Sequence, residues 1–328
     1  MSSLLRPFVP AAPLAGPHAQ TLWSGLLLRP PAVAARPERL ELPDGDFLDL
    51  AWLDGPRGAP LVVVLHGMQG SIASPYARVV LAGLRERGLR ALFVHFRGCG
   101  PTPNRLARGY HSGETEDLGT VLEVLRAREP ETRLGAIGFS LGGNVLVKHL
   151  GETRGATPLT AGVAVSVPFD LAACAEALDH GAARMYRGWL LRKTFPLVRA
   201  KRTVLEQAGV DVDGILASRT MRDLDGRLTA PLHGFEDADD YYRRASAGPY
   251  LRSVERRCLV VHARDDPFMT PAVAPVAKEV SASVELAVSA HGGHVGFLEA
   301  GRGPLGALRP RSWLGGPPLD WLQHALEA

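Results

Sequence analysis

One stretch constrains this chain more than any other. A small-residue apolar run, Leu134 to Phe139, breaks at Ser140 inside the pattern Gly138-x-Ser140-x-Gly142. A second apolar-periodic run starts at Leu141 and continues through Val145, Leu146, Val147 and Leu150. The order is strand, sharp turn, helix. A serine at the tip of such a turn holds its hydroxyl clear of the sheet, and glycines without a Cβ let strand and helix approach closely. The helix that begins behind Ser140 turns its partial positive charge toward the place where an oxyanion would form. The same string also reads as a glycine-rich connection in which Ser140 is only an N-cap. The rest of the chain weighs between the two.

Leu61 to Leu65 is an unbroken apolar run, as in a central parallel strand buried on both faces. It leads into His66-Gly67-Met68-Gln69-Gly70-Ser71. A helix from Pro75 to Arg87 and a strand from Ala91 to Phe96 follow. Ser112 is placed to cap a helix that ends near Arg128, with Glu114, Glu116 and Asp117 in its first turn. Gly162 to Val167, Cys258 to His262 and Val284 to Val288 read as further strands. Helices are expected over Pro271 to Val280 and Pro318 to Leu326. Glu38 to Leu42 and Phe47 to Leu53 flank Pro43-Asp44-Gly45-Asp46 as an antiparallel hairpin. Strands alternating with helices imply an α/β fold with a mostly parallel, doubly wound sheet.

From 168 to 252 the alternation gives way to a helical, irregular stretch rich in Arg, Tyr and Asp. It reads as a helical cap insertion over the site, or as a separate small helical domain. The expected division is a Pro-rich arm over 1–37, a core over 38–167 and 253–328, and the cap over 168–252. The arm shows no periodicity and reads as extended chain, packed on the body or partly mobile.

The charge of +3 comes from scattered arginines rather than a basic block, which argues against a nucleic-acid partner. Cys99, Cys174 and Cys258 form no Cys-x-x-Cys pair. Such sparse usage argues against a disulfide framework or zinc site and fits a soluble protein of the reducing cytoplasm. No apolar run approaches the ~18 residues that span a bilayer, and Leu26-Leu27-Leu28 is far too short. The apolar, Pro-rich residues 1–35 leave peripheral membrane contact open. Oligomeric state is not readable.

An acyl-transfer serine needs a base, and an acid to orient that base. After an elbow serine they come in the order Asp/Glu, then His. The strand Cys258 to His262 runs into Asp265-Asp266-Pro267. Two adjacent aspartates cannot both face one histidine. Asp266 is the choice because Pro267 fixes the turn after it, which leaves Asp265 toward solvent or backbone. An Asx-type turn is the alternative for the pair. The last strand leads into His291-Gly292-Gly293-His294. Glycines let a histidine swing from the sheet edge, so His294 is the expected base and His291 its rival. The N–H groups of Met68 and Leu141 are the expected oxyanion donors. His66 reads as a support of that loop.

These motifs carry a resemblance. The triad order resembles the α/β-hydrolase superfamily. Longer strings are similar to its YheT-like (EMB8-like) branch, and they span about residues 8 to 300. They include His18-Ala19-Gln20-Thr21, Phe96-Arg97-Gly98-Cys99, Pro103-Asn104-Arg105-Leu106 and Tyr110 to Asp117. Gly138 to Asn144, Thr229 to Phe235 with Tyr241-Tyr242, and Asp265-Asp266-Pro267-Phe268 complete the set. Cys99-Gly100-Pro101 departs from the pattern, which expects a serine near the second position.

The resemblance implies an α/β-hydrolase fold with a helical cap and a hydrolase or carboxylesterase relay of Ser140, Asp266 and His294. His18, His111 and His233 are then structural ties of arm and cap. No cofactor and no metal is expected. The expected activity is hydrolysis of a carboxylic ester, short- to medium-chain or lipid-like, through an acyl-enzyme on Ser140. Two alternatives remain: acyl transfer to an alcohol by the same triad, and a non-catalytic ligand-binding member of the fold.

Overall fold

The computed structural model describes residues 5–26, 28, 30, 32–301, 306 and 309–328. The start of the expected arm and the middle of Leu26-Leu27-Leu28 lie outside the described residues.

Eight strands make the main sheet: β1 (Arg36–Glu41), β2 (Phe47–Leu53), β3 (Leu61–Leu65), β4 (Arg90–His95), β5 (Leu134–Phe139), β6 (Leu159–Val165), β7 (Arg257–Ala263) and β8 (Val284–Ser289). Their spatial order is β1-β2-β4-β3-β5-β6-β7-β8. The expected hairpin forms, with Leu40 opposite Leu48 and Gly45 in the left-handed region at φ 86°. β2 pairs antiparallel with β4, and every pairing from β4 to β8 is parallel. The chain leaves β3 for β4 on one side and returns to β5 on the other. Their C-terminal ends therefore open a crevice at the switch point.

Helix α1 (Pro17–Leu26) lies in the arm, and α2 (Pro75–Glu86), α3 (Glu116–Arg128) and α4 (Leu141–Thr153) are helices of the core. The period of two along β3 divides the core. Leu61, Val63 and Leu65 pack with Leu122 of α3 and Leu146 of α4. Val62 and Val64 pack on the opposite face with Leu81 of α2 and with the C-terminal helix. Helices cover both faces, which is why β3 can be apolar throughout.

A helical region lies between β6 and β7. It comprises α5 (Leu171–Ala177), α6 (Ala183–Ala200), α7 (Arg202–Gln207), α8 (Val212–Leu216), α9 (Met221–Leu224), a π-helical turn at Asp225–Thr229, α10 (Ala230–His233) and α11 (Ala238–Ala245). It has its own apolar cluster, including Leu190, Ile215, Leu224 and Tyr241. The C-terminal helix is α12 (Pro317–Glu327). No helix among the described residues is long and apolar enough to cross a membrane. Cys99, Cys174 and Cys258 are all free.

Three local expectations are corrected. The helix expected over Pro271 to Val280 is two 3₁₀ turns, Pro271–Val273 and Ala277–Glu279. Pro275 disfavours a helical Ala274, which is extended at ψ 122°. Ser112 is not the cap of α3, whose N-cap position is Thr115. Its N–H donates to the Tyr241 hydroxyl, and its carbonyl accepts from the Asn144 amide. The arm is not simply extended, since Pro17 starts helix α1. That helix docks through polar groups, which apolar periodicity does not register. Gln20 is fully buried; its amide donates to the carbonyls of Leu14 and Leu298 and accepts the N–H of Leu298.

Polar ties fix the cap to the core. Asn144 of α4 donates to the carbonyls of Ser112 and Ala245 and accepts the N–H of Ala247. Lys201, between α6 and α7, donates to Asn104, which donates to Asp46. Arg97 completes this network with a two-pronged bond to Asp117, at 2.8 and 2.7 Å, and contacts to Asp44 and Asp46. His18 of α1 reaches the hydroxyl of Tyr186 on α6 at 2.9 Å, an arm-to-cap tie.

Candidate active site

β5 delivers Ser140 at φ 50°, ψ −118°, a left-handed conformation for a residue with a side chain. Such a geometry costs on the order of 1–3 kcal/mol and persists only where the surroundings over-determine it. Close packing over-determines it here. A Cβ on Gly138 would lie 2.3 Å from the Gly142 carbonyl oxygen, and one on Gly142 would lie 2.5 Å from that of His66. The Ser140 side chain makes no cap bond to α4, which removes the N-cap alternative.

Its hydroxyl instead meets Nε2 of His294 at 3.0 Å. Nδ1 of the same ring meets Oδ2 of Asp266 at 2.8 Å. Asp266 follows β7 and His294 follows β8, so strand ends along one edge of the sheet supply all three groups. Oδ1 of Asp266 accepts the N–H of Phe268. One carboxylate therefore serves the Asx-type turn and the histidine together. Asp265 and His291 face each other instead, at 3.3 Å, with the His291 side chain 52% exposed. Asp265 also accepts the N–H of Gly293.

The histidine is held from several sides. Phe268 stacks on its ring with centroids 3.9 Å apart. Its backbone N–H donates to the Thr21 hydroxyl, and that of Val295 donates to Ser166. Thr21, Ser166 and Phe268 are site residues that reasoning from triad order does not reach. The strings His18 to Thr21 and Asp265 to Phe268 contained two of them.

The loop after β3 lies against the serine: a Cβ on Gly67 would sit 3.3 Å from the Ser140 Cβ. His66 is fully buried. Its Nδ1 bonds to the Gly67 carbonyl at 2.6 Å, and its Nε2 accepts the Phe96 N–H. Both ring nitrogens are used by a neutral imidazole, and burial pushes its pKa down to about 3. Tyr76 and Tyr110 accept the N–H groups of Gly67 and Gln69. Met68 and Leu141 line the cavity beside Ser140.

That cavity has a volume of about 830 Å³ and lies between the core and the helical region. Leucines and aromatic rings dominate its wall. Asp225 is a polar exception, holding the hydroxyls of Thr229 and Tyr242. Burial pushes its carboxyl up to about 6.

A serine, a histidine and a carboxylate in this hydrogen-bonded order, on an elbow at the crevice of a doubly wound sheet, match a known fold. The family described as alpha/beta hydrolase fold matches residues 60–301. The chain belongs to the alpha/beta hydrolase fold family.

Within it, the chain is of the YheT-like branch. It is 39% identical to "Putative esterase YheT" of Escherichia coli (strain K12) over 98% of this chain and 94% of that one. It is 29% identical to "Phospholipase ABHD3" of Homo sapiens, over 86% of this chain and 71% of that one. Among solved structures, the esterase Pf2001 of Pyrococcus furiosus matches with a TM-score of 0.53 at 20% identity, covering 90% and 91% of the two chains. That likeness concerns the fold.

His111, Glu114 and His233 bring possible metal-ligand atoms within 4.8 Å of one another at the cavity wall. Their bonding does not suit a cation. Nδ1 of His111 accepts the N–H of Gly113, so its proton sits on Nε2, 3.8 Å from Glu114. Arg108 already neutralises Glu114 at 2.7 Å.

Proposed function

We propose that this protein hydrolyses carboxylic esters of small acyl or lipid type, with Ser140 as nucleophile, His294 as general base and Asp266 as the group that orients it. The observation that carries this reading is the unbroken hydrogen-bond path Ser140–His294–Asp266 at the floor of an apolar cavity.

The Ser140 oxygen attacks the ester carbonyl as Nε2 of His294 takes its proton. Asp266 keeps the imidazole proton on Nδ1 and stabilises the imidazolium that forms. The oxyanion accepts from the N–H groups of Met68 and Leu141, the latter at the N-terminus of α4. His294 then protonates the leaving alcohol, and the acyl group rests on Ser140. Water, activated by the same histidine, releases the acid.

The apolar wall suits an acyl chain, and the volume lies in the range of pockets that enclose ligands of drug size. Residues 168–252 act as a cap that shapes this pocket, over a core of 38–167 and 253–328 with the arm 1–37. Three free cysteines suit a cytoplasmic location.

Labelling with a fluorophosphonate probe, together with hydrolysis of p-nitrophenyl esters, tests the reading. The native protein is expected to label and turn over, and Ser140→Ala to do neither. Equal labelling of Ser140→Ala would overturn the nucleophile assignment.

A further inference from the structure

The cavity reaches solvent where residues of its wall are themselves exposed. These are Gly25 on α1, Ala73 in the loop after β3, and Met185, Trp189 and Lys193 on α6. The α6 residues are four apart and form one line along the helix. Met185 and Trp189 are 54% and 51% exposed, and Trp23 on α1 is 37% exposed. Two of the five exposed large hydrophobic residues among those described, Met185 and Trp189, thus line this one opening, a turn apart on α6. Apolar groups gathered at a single rim mark a surface that something covers.

The charge of α6 says what. The helix carries Arg184, Arg187, Arg192, Lys193 and Arg199, and no acidic residue. Arg187 is paired with Asp179. Arg184, Arg192 and Arg199 are exposed, on the same side as Met185 and Trp189. Tyr186, Leu190, Leu191 and Val198 face the other way, into the apolar cluster of the cap. A helix with tryptophan and methionine set among arginines and lysine is built to lie in the headgroup layer of a negatively charged bilayer.

We propose that the exposed face of α6 docks on an anionic lipid surface and sets the mouth of the cavity against the membrane. An apolar ester can then pass from the bilayer into the cavity without crossing water. An acidic protein or a nucleic acid would match the arginines, but would leave the tryptophan and methionine line at the mouth without a role. The delivery of an ester rests on the esterase reading above, whereas the docking does not.

The test is flotation with vesicles of phosphatidylglycerol and phosphatidylcholine, against vesicles of phosphatidylcholine alone. It uses the Ser140→Ala chain, so the measurement is independent of turnover. The expected result is binding to the anionic vesicles, lost with salt, and a blue shift of tryptophan emission that Trp189→Phe largely removes. Reversing three charges with Arg184→Glu, Arg192→Glu and Arg199→Glu weakens binding on the order of 100-fold. The same triple change on the Ser140 background leaves hydrolysis of a soluble short-chain ester unchanged, which shows that the protein still folds. Three results would overturn the proposal: no preference for anionic vesicles, binding indifferent to the triple change, or equally tight binding to a DNA duplex with no emission shift on vesicles. Failure of ester hydrolysis with vesicle binding intact would overturn the esterase reading alone.

Discussion

The hydroxyl of Thr21 accepts the backbone N–H of His294 at 2.9 Å, across 273 residues of chain. The same hydroxyl donates to the carbonyl of Pro17, one turn earlier in α1. A Cβ on Gly293 would fall 2.6 Å from both that carbonyl and the Thr21 oxygen, so the histidine loop is pressed directly onto the arm helix. The position of His294 is therefore set partly from outside the sheet that carries it.

Thr21→Val keeps the shape of the side chain and removes its hydrogen bonds. It is expected to lower kcat about tenfold with KM nearly unchanged, and to cost about 1–2 kcal/mol of stability. Thr21→Ser should restore both. Steady-state kinetics and urea unfolding read the two effects, and an unchanged kcat would detach the arm from the site.

The two aspartates should separate sharply. Asp266→Asn removes the acceptor that fixes the His294 tautomer and is expected to lower kcat ~10⁴-fold. Asp265→Asn touches His291 and the Gly293 N–H and should cost less than about tenfold. Equal losses from the two, measured on one p-nitrophenyl ester, would refute the pairing assigned here.

The elbow tolerates no added carbon. In Gly142→Ala the new methyl would stand 2.5 and 2.7 Å from the backbone oxygens of His66 and Leu65. The loss is expected to be about 3 kcal/mol or more, or failure to fold. Gly119→Ala, at the end of the first turn of α3 with nothing within 4 Å, should instead stabilise by about 0.5–1 kcal/mol. Denaturant midpoints of the two variants test the contrast.

Stability should fall on mild acidification. Burial pushes His66 down to about 3, and His149 and His262 to about 4, from an ordinary 6.5. Above pH 6.5 neither the folded nor the unfolded chain holds these protons, so their contribution is level. Between pH 6.5 and about 4 the unfolded chain takes them up and the folded chain does not, so stability drops as pH falls. Each group is worth about 1.4 kcal/mol per pH unit in that window, or roughly 4 for the three. His233, pushed down by burial to about 4, and His111, pushed down to about 2, add in the same direction. Asp225, pushed up by burial to about 6, offsets one of them below pH 6. Melting followed from pH 7 to pH 5 should show a decline of about 10 °C. A flat profile would mean that these rings are not buried as neutral imidazoles.

Much of the fold was legible because its signals are local. An apolar run such as Leu61 to Leu65 must be buried on both faces, and the Pro-Asp-Gly turn before Phe47 closes a hairpin by its own backbone preferences. Polar docking left no such trace. Helix α1 seats itself through Gln20 and Thr21, so its period is invisible to a hydrophobic reading. The expected helix near Pro271 failed because Pro275 outweighed composition.

The chain order of serine, aspartate and histidine, and the glycines that let an elbow form, are properties of the sequence alone. Tertiary structure decided which aspartate meets which histidine. It turned Asp266 inward to His294 and left Asp265 with His291 at the surface. It also brought Thr21 and Phe268 around the ring. The physical reason is that such choices depend on distances between strand ends and helices far apart in sequence, and those distances exist only once the sheet is assembled.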